Sequence, residues 1–255
     1  MKRGGDANLN NKSFHEYQVD SDGISGVLAL LKACAKQKDI HRGGQMCNDI
    51  FKARLVERNI YVGNAVVHMY AKCGDLGKAR EVFNQLPVPD VVSWTTLISG
   101  YTEQGRADIA LLCFDNMQQE GICANETTLA CILKSCGIGC AIDDGSQVHS
   151  DILKEGMERD PLVSIALIEM YSKFGNFIEA RKLFNSFPGQ TVASWAALIS
   201  GYSEHGLNEE ILLCLKEMLT ENVPPDALIF SLCLKACASL CDIDKGREVH
   251  NYIVW

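Results

Sequence analysis

VVSWTTLISGYTEQG at residues 91–105 returns as VASWAALISGYSEHG at 192–206, with ten of fifteen residues identical at an offset of 101. The same offset carries VGNAVVHMYAKCG (62–74) onto VSIALIEMYSKFG (163–175). It also carries AREVFNQLP (79–87) onto ARKLFNSFP (180–188), and LKSCG (133–137) onto LKACA (234–238). Self-similarity at a fixed period is the signature of a repeat architecture, so the repeat is read before any single residue is interpreted.

Within the long period lie shorter units. Gly74, Gly105, Gly175 and Gly206 are each followed, five residues later, by a second apolar segment. In the first segment Trp94, Leu97, Ile98 and Tyr101 fall at i, i+3, i+4 and i+7, one stripe of a 3.6-residue helix. Ala110, Cys113, Phe114 and Met117 repeat the spacing, as do Ala79, Val82, Phe83 and Leu86, and then Ala180, Leu183, Phe184 and Phe187. Each unit thus reads as two helices with a glycine between them. Pro87, Pro89, Gly121, Pro188, Pro224 and Pro225 fall in the joins, where a missing N–H or a left-handed turn stops a helix. No segment reads as a strand.

The units run 24–59, 60–90, 91–125, 126–160, 161–191 and 192–226, with an incomplete one at 227–255, after a polar N-terminal stretch (1–23) read as a mobile tail. One hairpin of this size cannot bury its apolar face alone, so neighbours must stack to make a core. The expectation is an all-α chain, an α-solenoid of helix-turn-helix hairpins winding into a right-handed superhelix with a concave surface. A last unit without a polar capping helix reads as a piece of a longer array.

Composition narrows the chemistry. Lys and Arg number 24 against 32 Asp and Glu, a net charge of -8, so no phosphate-binding surplus shows over the whole chain. The longest apolar run, ALIFSLCL (227–234), is far short of the roughly 20 residues that span a bilayer, which predicts no membrane contact. The tail has neither the apolar core of a secretory signal nor the Arg-rich, acid-poor character of a transit peptide. The sequon at Asn125 is accordingly read as a chance match.

Twelve cysteines invite a metal or disulfide reading, but Cys34, Cys136 and Cys237 occupy one repeat position, which marks helix packing. No C-x-x-C occurs, and Cys233, Cys237 and Cys241 have no matching His pair, so no metal is expected. His149 and His250 are also equivalents, with Cys47 in the same slot of the first unit, which argues for a repeat role rather than catalysis. A deaminase H-x-E with P-C-x-x-C, a P-loop, a G-x-S-x-G elbow and an H-E-x-x-H are all missing. Neither a catalytic residue nor a cofactor is expected.

The wording VVSWTTLISGY (91–101), GNAVVHMYAKCGDLGKAREVF (63–83) and LLKACAKQKDI (30–40) resembles the P, S and L motifs of the plant PLS class of pentatricopeptide-repeat (PPR) proteins. The unit order L, S, P, L, S, P, L resembles that class too, whereas tetratricopeptide repeats keep a uniform period of about 34 residues. The resemblance implies single-stranded organellar RNA as partner, about one base per repeat, in a mitochondrion or chloroplast. It implies C-to-U editing or other transcript processing, with an editing or processing enzyme supplied in trans. In the family the fifth and last residues of a unit face the base edge. Asn64 with Asp90 matches the pairing for uracil, and Thr95 with Asn125 that for adenine, while the second residue, Val92, would pack on base faces. Ala130 with Asp160, Ile165 with Thr191, and Ala196 with Asp226 place apolar side chains where a hydrogen bond is wanted, and Ser231 stands without a partner. Outside a repeat register, Asn64 and Thr95 would read as solvent-facing or capping residues. Two other functions fit the residues: a scaffold whose concave face holds a helix or peptide, and a fragment of an editing enzyme whose deaminase domain lies elsewhere.

Overall fold

A computed structural model describes residues 21–187 and 189–254; most of the N-terminal tail, Pro188 and Trp255 lie outside the described residues. The described residues form α1 (Ser21–Gln37), α2 (Ile40–Lys52), α3 (Leu55–Arg58), α4 (Ile60–Lys72), α5 (Leu76–Phe83), α6 (Val91–Glu103) and α7 (Ala107–Gln119). They continue with α8 (Glu126–Gly139), α9 (Ile142–Glu155), α10 (Pro161–Lys173), α11 (Phe177–Ser186), α12 (Val192–Glu204), α13 (Asn208–Thr220), α14 (Ala227–Ser239) and α15 (Ile243–Val254). No strand occurs among the described residues. Helix α1 opens at Ser21, inside the stretch read as tail.

Local chemistry sets the helix starts. Asn59, Asp90, Asn125, Asp160, Thr191 and Asp226 each lend a side-chain oxygen to backbone N–H groups of the helix that follows. Such an N-cap satisfies donors that a helix cannot pair internally. Helix ends are equally defined: Gly175 has φ +73°, its N–H reaches the Ser172 carbonyl, and the Asn176 N–H reaches that of Tyr171. That is a Schellman closure, for which a residue without Cβ is best suited. Lys38, Cys140 and Cys241 hold the corresponding left-handed place in the long units, at φ 51–53°.

The long units depart from a plain two-helix reading. The short helix α3 follows a left-handed Arg54, and a 3-10 turn at Met157–Arg159 follows a left-handed Gly156. In both, the chain reverses out of the second helix and uses the extra residues for one more turn before the next cap.

The chain divides into two compact units, one running to Gln104 and including Asp115–Cys123, the other Gly105–Phe114 with Ala124 onward. In the first, α1, α4 and α6 pack successively as a front layer while α2 and α5 back them; in the second, α8, α10, α12 and α14 form the front layer with α9, α11 and α15 against them. The apolar stripes read from sequence face these contacts: Trp94, Leu97, Ile98 and Tyr101 are buried, as are Ala79, Val82, Phe83 and Leu86. Phe83 meets the Trp94 ring edge-on at 4.6 Å between centroids, and Phe184 meets Trp195 at 4.5 Å, an aromatic geometry repeated 101 residues apart. Cys34, Cys136 and Cys237 are buried, and desolvation pushes the Cys136 thiol up to about 12, the behaviour of a packing residue rather than a thiolate.

Candidate nucleic-acid interface

Each front helix begins on the last residue of the unit before it, so the two positions expected to face a base are built by adjoining repeats. In the first compact unit they meet. Asn64 lies one turn into α4 and is only 8% exposed, which makes it neither a solvent-facing nor a capping residue. Its Nδ2 stands 3.4 Å from Oδ1 of Asp90, the N-cap of α6. Ser93 joins them: its hydroxyl lies 2.7 Å from Asn64 Oδ1 and 2.8 Å from Asp90 Oδ1. The Ser93 N–H donates to Asp90 Oδ1 at 2.8 Å, and the Asp90 N–H donates back to Ser93 Oγ at 3.2 Å, closing a capping box. Burial pushes the Asp90 carboxyl up, but the donors from Ser93 and Asn64 outweigh it and hold the pKa below the ordinary carboxylate value. The site is thus an anion beside a carboxamide, held by one serine.

Thr95, half-buried on α6, donates its hydroxyl to the Val91 carbonyl at 2.6 Å. It belongs to the first compact unit, whereas Asn125 belongs to the second. Asn125 caps α8: its Oδ1 accepts from the Thr128 N–H at 2.9 Å and the Thr128 hydroxyl at 2.8 Å. With the oxygen so engaged, the Nδ2 donor is the atom the residue presents. Capping therefore decides the polarity of this position, a donor from Asn and a carboxylate oxygen from Asp.

The remaining positions sit in equivalent places with different chemistry. Asp160 caps α10 through the N–H groups of Leu162 and Val163, and Asp226 caps α14 through that of Ile229 at 2.9 Å. Thr191 caps α12, taking the Ser194 N–H at 3.3 Å. Ala130, Ile165 and Ala196 are half-buried on α8, α10 and α12, and Ser231 is exposed on α14. Ile165 and Ala196 line an open groove of about 450 Å³ across α8, α10, α12 and α14, with Ala193, Leu228, Lys134 and Glu169. That volume is of the size that ordinary small-ligand sites have. Val92 is 51% exposed, and the second residues of other units, Tyr61, Leu162 and Leu228, are likewise large apolar side chains left in solvent.

Sequence reasoning missed the charges of this face. Lys72 and Lys173 end α4 and α10, and each pairs with the glutamate that ends the next front helix, Glu103 and Glu204. The pairs are repeat equivalents, so the 101-residue offset held the signal. Burial raises the carboxyl pKa of Glu169 against the pull of Lys134 and Lys173. Behind the face, His149 on α9 is buried with Nδ1 2.8 Å from the Tyr171 hydroxyl of α10, and burial lowers its pKa. Among the described residues no group of three or more His, Cys, Asp or Glu could hold a metal ion, and no helix is long and apolar enough to cross a membrane.

A model described as the PPR repeat family matches residues 89–137, and one described as PPR repeat matches 64–88, 165–189 and 193–223. A chloroplastic pentatricopeptide repeat-containing protein of Arabidopsis thaliana is 33% identical over 225 residues, covering 88% of this chain and 36% of the relative. A mitochondrial one from the same plant is 38% identical over 225 residues, covering 88% of this chain and 22% of its own length. The chain therefore spans about a third or less of these relatives. Among solved structures, the pentatricopeptide repeat protein PPR10 from maize superposes with TM-score 0.67 at 18% identity, over 89% of this chain and 34% of that one. PPR10 in complex with an 18-nt psaJ RNA element gives TM-score 0.76 at 21% identity, over 91% and 35%. At such identities the likeness speaks for the fold, a solenoid of helical hairpins.

Proposed function

Because the chain belongs to the pentatricopeptide-repeat family, we propose that it binds single-stranded RNA along its front-layer helices. In this reading Asn64 with Asp90 takes uracil and Thr95 with Asn125 takes adenine, while Val92 packs on a base face. The observation that carries it is the Asn64–Asp90 pair, hydrogen-bonded together at 3.4 Å across two repeats. A carboxamide N–H beside a carboxylate oxygen is a donor–acceptor edge of the kind that reads a base. The units with Ala130, Ile165 and Ala196 would contribute shape and apolar contact, as the groove between their helices supports. The alternation of long, short and 35-residue units supports the plant PLS class.

On this reading the chain is a specificity or adaptor factor in organellar C-to-U editing or transcript processing, delivering RNA to an enzyme held in another chain. The relatives' chloroplastic and mitochondrial names support an organellar site of action. Affinity should rest on base contacts rather than phosphate neutralisation, since the net charge is -8 and Lys72 and Lys173 are already paired with glutamates. The test is titration of a 5'-UA-containing RNA against wild type and Asn64→Ala at two salt concentrations. Tighter binding by the wild type, with a shallow salt dependence, is expected. Equal binding of every sequence by both proteins would overturn the assignment.

The apolar groove lined by Ile165, Ala196 and Leu228 favours a second reading, a scaffold for a helix or peptide. It predicts that the nuclease-treated chain binds apolar peptides and retains no RNA.

A further inference from the structure

Resting on the RNA reading above, we infer that Ser93 is a positioning residue for base recognition: it fixes which way the Asn64 carboxamide faces. Ser93 is fully buried, and its oxygen accepts the Asp90 N–H, so its rotamer is locked by the capping box rather than by any ligand. Its hydroxyl has one proton and two acceptors in reach, Asn64 Oδ1 at 2.7 Å and Asp90 Oδ1 at 2.8 Å. Asp90 Oδ1 already receives the Ser93 N–H and Asn64 Nδ2, while among the described residues no other side chain donates to Asn64 Oδ1. The proton therefore serves Asn64. A turned amide would set its own oxygen against the Asp90 carboxylate, so with the hydroxyl in place only one orientation satisfies every group. That orientation puts the Nδ2 donor beside the carboxylate, which is the edge a base would meet.

The chain contains its own control. Ser194 is the repeat equivalent of Ser93 and forms the same capping box with Thr191, but Ile165 stands where Asn64 would be. There the Ser194 hydroxyl turns back to the Thr191 carbonyl at 2.9 Å. A serine in this slot thus reaches across to the fifth residue of the preceding unit where that residue is a carboxamide. Residue choice follows the same line elsewhere. Ala130 and Ala196, which need no orienting, are followed at this position by the apolar Val163 and Ile229.

The experiment measures binding of single-stranded RNA oligonucleotides that carry each of the four bases in turn at the position served by Asn64. The full chain is used as wild type, Ser93→Ala, Ser93→Thr, Asn64→Ala and the Ser93→Ala/Asn64→Ala double. Loss of one hydrogen bond of ordinary strength should reduce the preference for the favoured base about fivefold in Ser93→Ala. Binding of the other three bases and the helical circular dichroism should stay near wild type. Ser93→Thr should restore the preference, since Thr128 fills the equivalent slot, and the double variant should lose no more than Asn64→Ala alone. A Ser93→Ala protein that keeps its full preference overturns the inference, as does one that weakens equally for all four bases, which would mark a purely structural serine. A wild type indifferent to the base overturns the recognition reading itself, and the inference with it.

Discussion

Gly201→Ala tests the packing that spaces the front helices. A Cβ built on Gly201 would lie 2.3 Å from Cβ of Ser172, 2.9 Å from its Oγ and 3.3 Å from its Cα. Non-bonded carbons settle at about 3.5–4.0 Å, so α10 and α12 would have to part by about 1 Å or more. Overpacking of this kind costs about 1–3 kcal/mol, and the upper end applies because the Ser172 Cβ and Cα cannot swing aside. Alanine's better helix propensity offsets about 1 kcal/mol. The net loss is about 2 kcal/mol, a fall of roughly 4–8 °C in Tm for a chain of this size. Thermal unfolding followed by circular dichroism measures it. Adding Ser172→Gly deletes the atom that Gly201→Ala strikes, so the double variant should regain most of the loss, a coupling of about 2 kcal/mol. If Gly201→Ala melts at or above the wild-type temperature, as propensity alone would have it, the close approach is not what holds the helices. Gly100, facing Ala71 Cβ at 2.7 Å, should behave likewise. Both variants should also weaken RNA binding, because α10 and α12 carry Ile165 and Ala196, and α4 and α6 carry Asn64 and Thr95, at the intervals the array sets.

Three further outcomes are expected. Glu204→Gln releases Lys173 from its ion pair; an exposed pair is worth about 0–1 kcal/mol, so stability should barely change, while RNA affinity rises and the slope of log K against log salt steepens by about 0.7. An unchanged slope in titrations across salt would show that Lys173 does not meet phosphate. Because burial holds the folded His149 pKa below the ordinary imidazole value, its neutral form supports the fold fully above about pH 6.5, and that support is lost as pH falls through the lowered folded value. Urea unfolding of His149→Gln should lose less stability between about pH 7 and pH 5 than the wild type, and parallel declines would contradict this. Trp195→Ala empties a fully buried site against Phe184 and should cost about 3–5 kcal/mol by the same unfolding assay, a loss below about 1 kcal/mol being inconsistent with the packing described.

The repeat and its helices were legible in the sequence because two independent signals coincide in the units that carry Gly74, Gly105, Gly175 and Gly206. Trp94, Leu97, Ile98 and Tyr101 mark the buried stripe and Gly105 the helix end. The unit joins were harder, since Arg54 and Gly156 lead into extra turns that no apolar period announces. At the candidate site, sequence named Asn64 and Asp90 through the register alone. It did not reveal that Asp90 is a cap whose chemistry is set by Ser93, because capping and base reading draw on the same polar residues. The Lys72–Glu103 and Lys173–Glu204 pairs escaped notice for another reason. Their partners lie 31 residues apart, and the 101-residue offset repeats each charge without showing that the two front helices are neighbours.

RNA lying on the front layer should be trapped there by photo-crosslinking of single-stranded RNA carrying 4-thiouridine, with the crosslinked residues mapped by mass spectrometry. Crosslinks should fall on front-layer side chains, Val92, Leu162 and Leu228 among them, and should diminish with Asn64→Ala when the thiouridine occupies the favoured position. Crosslinks confined to the second-layer helices α5, α9 and α11, or unaffected by that substitution, would contradict that placement.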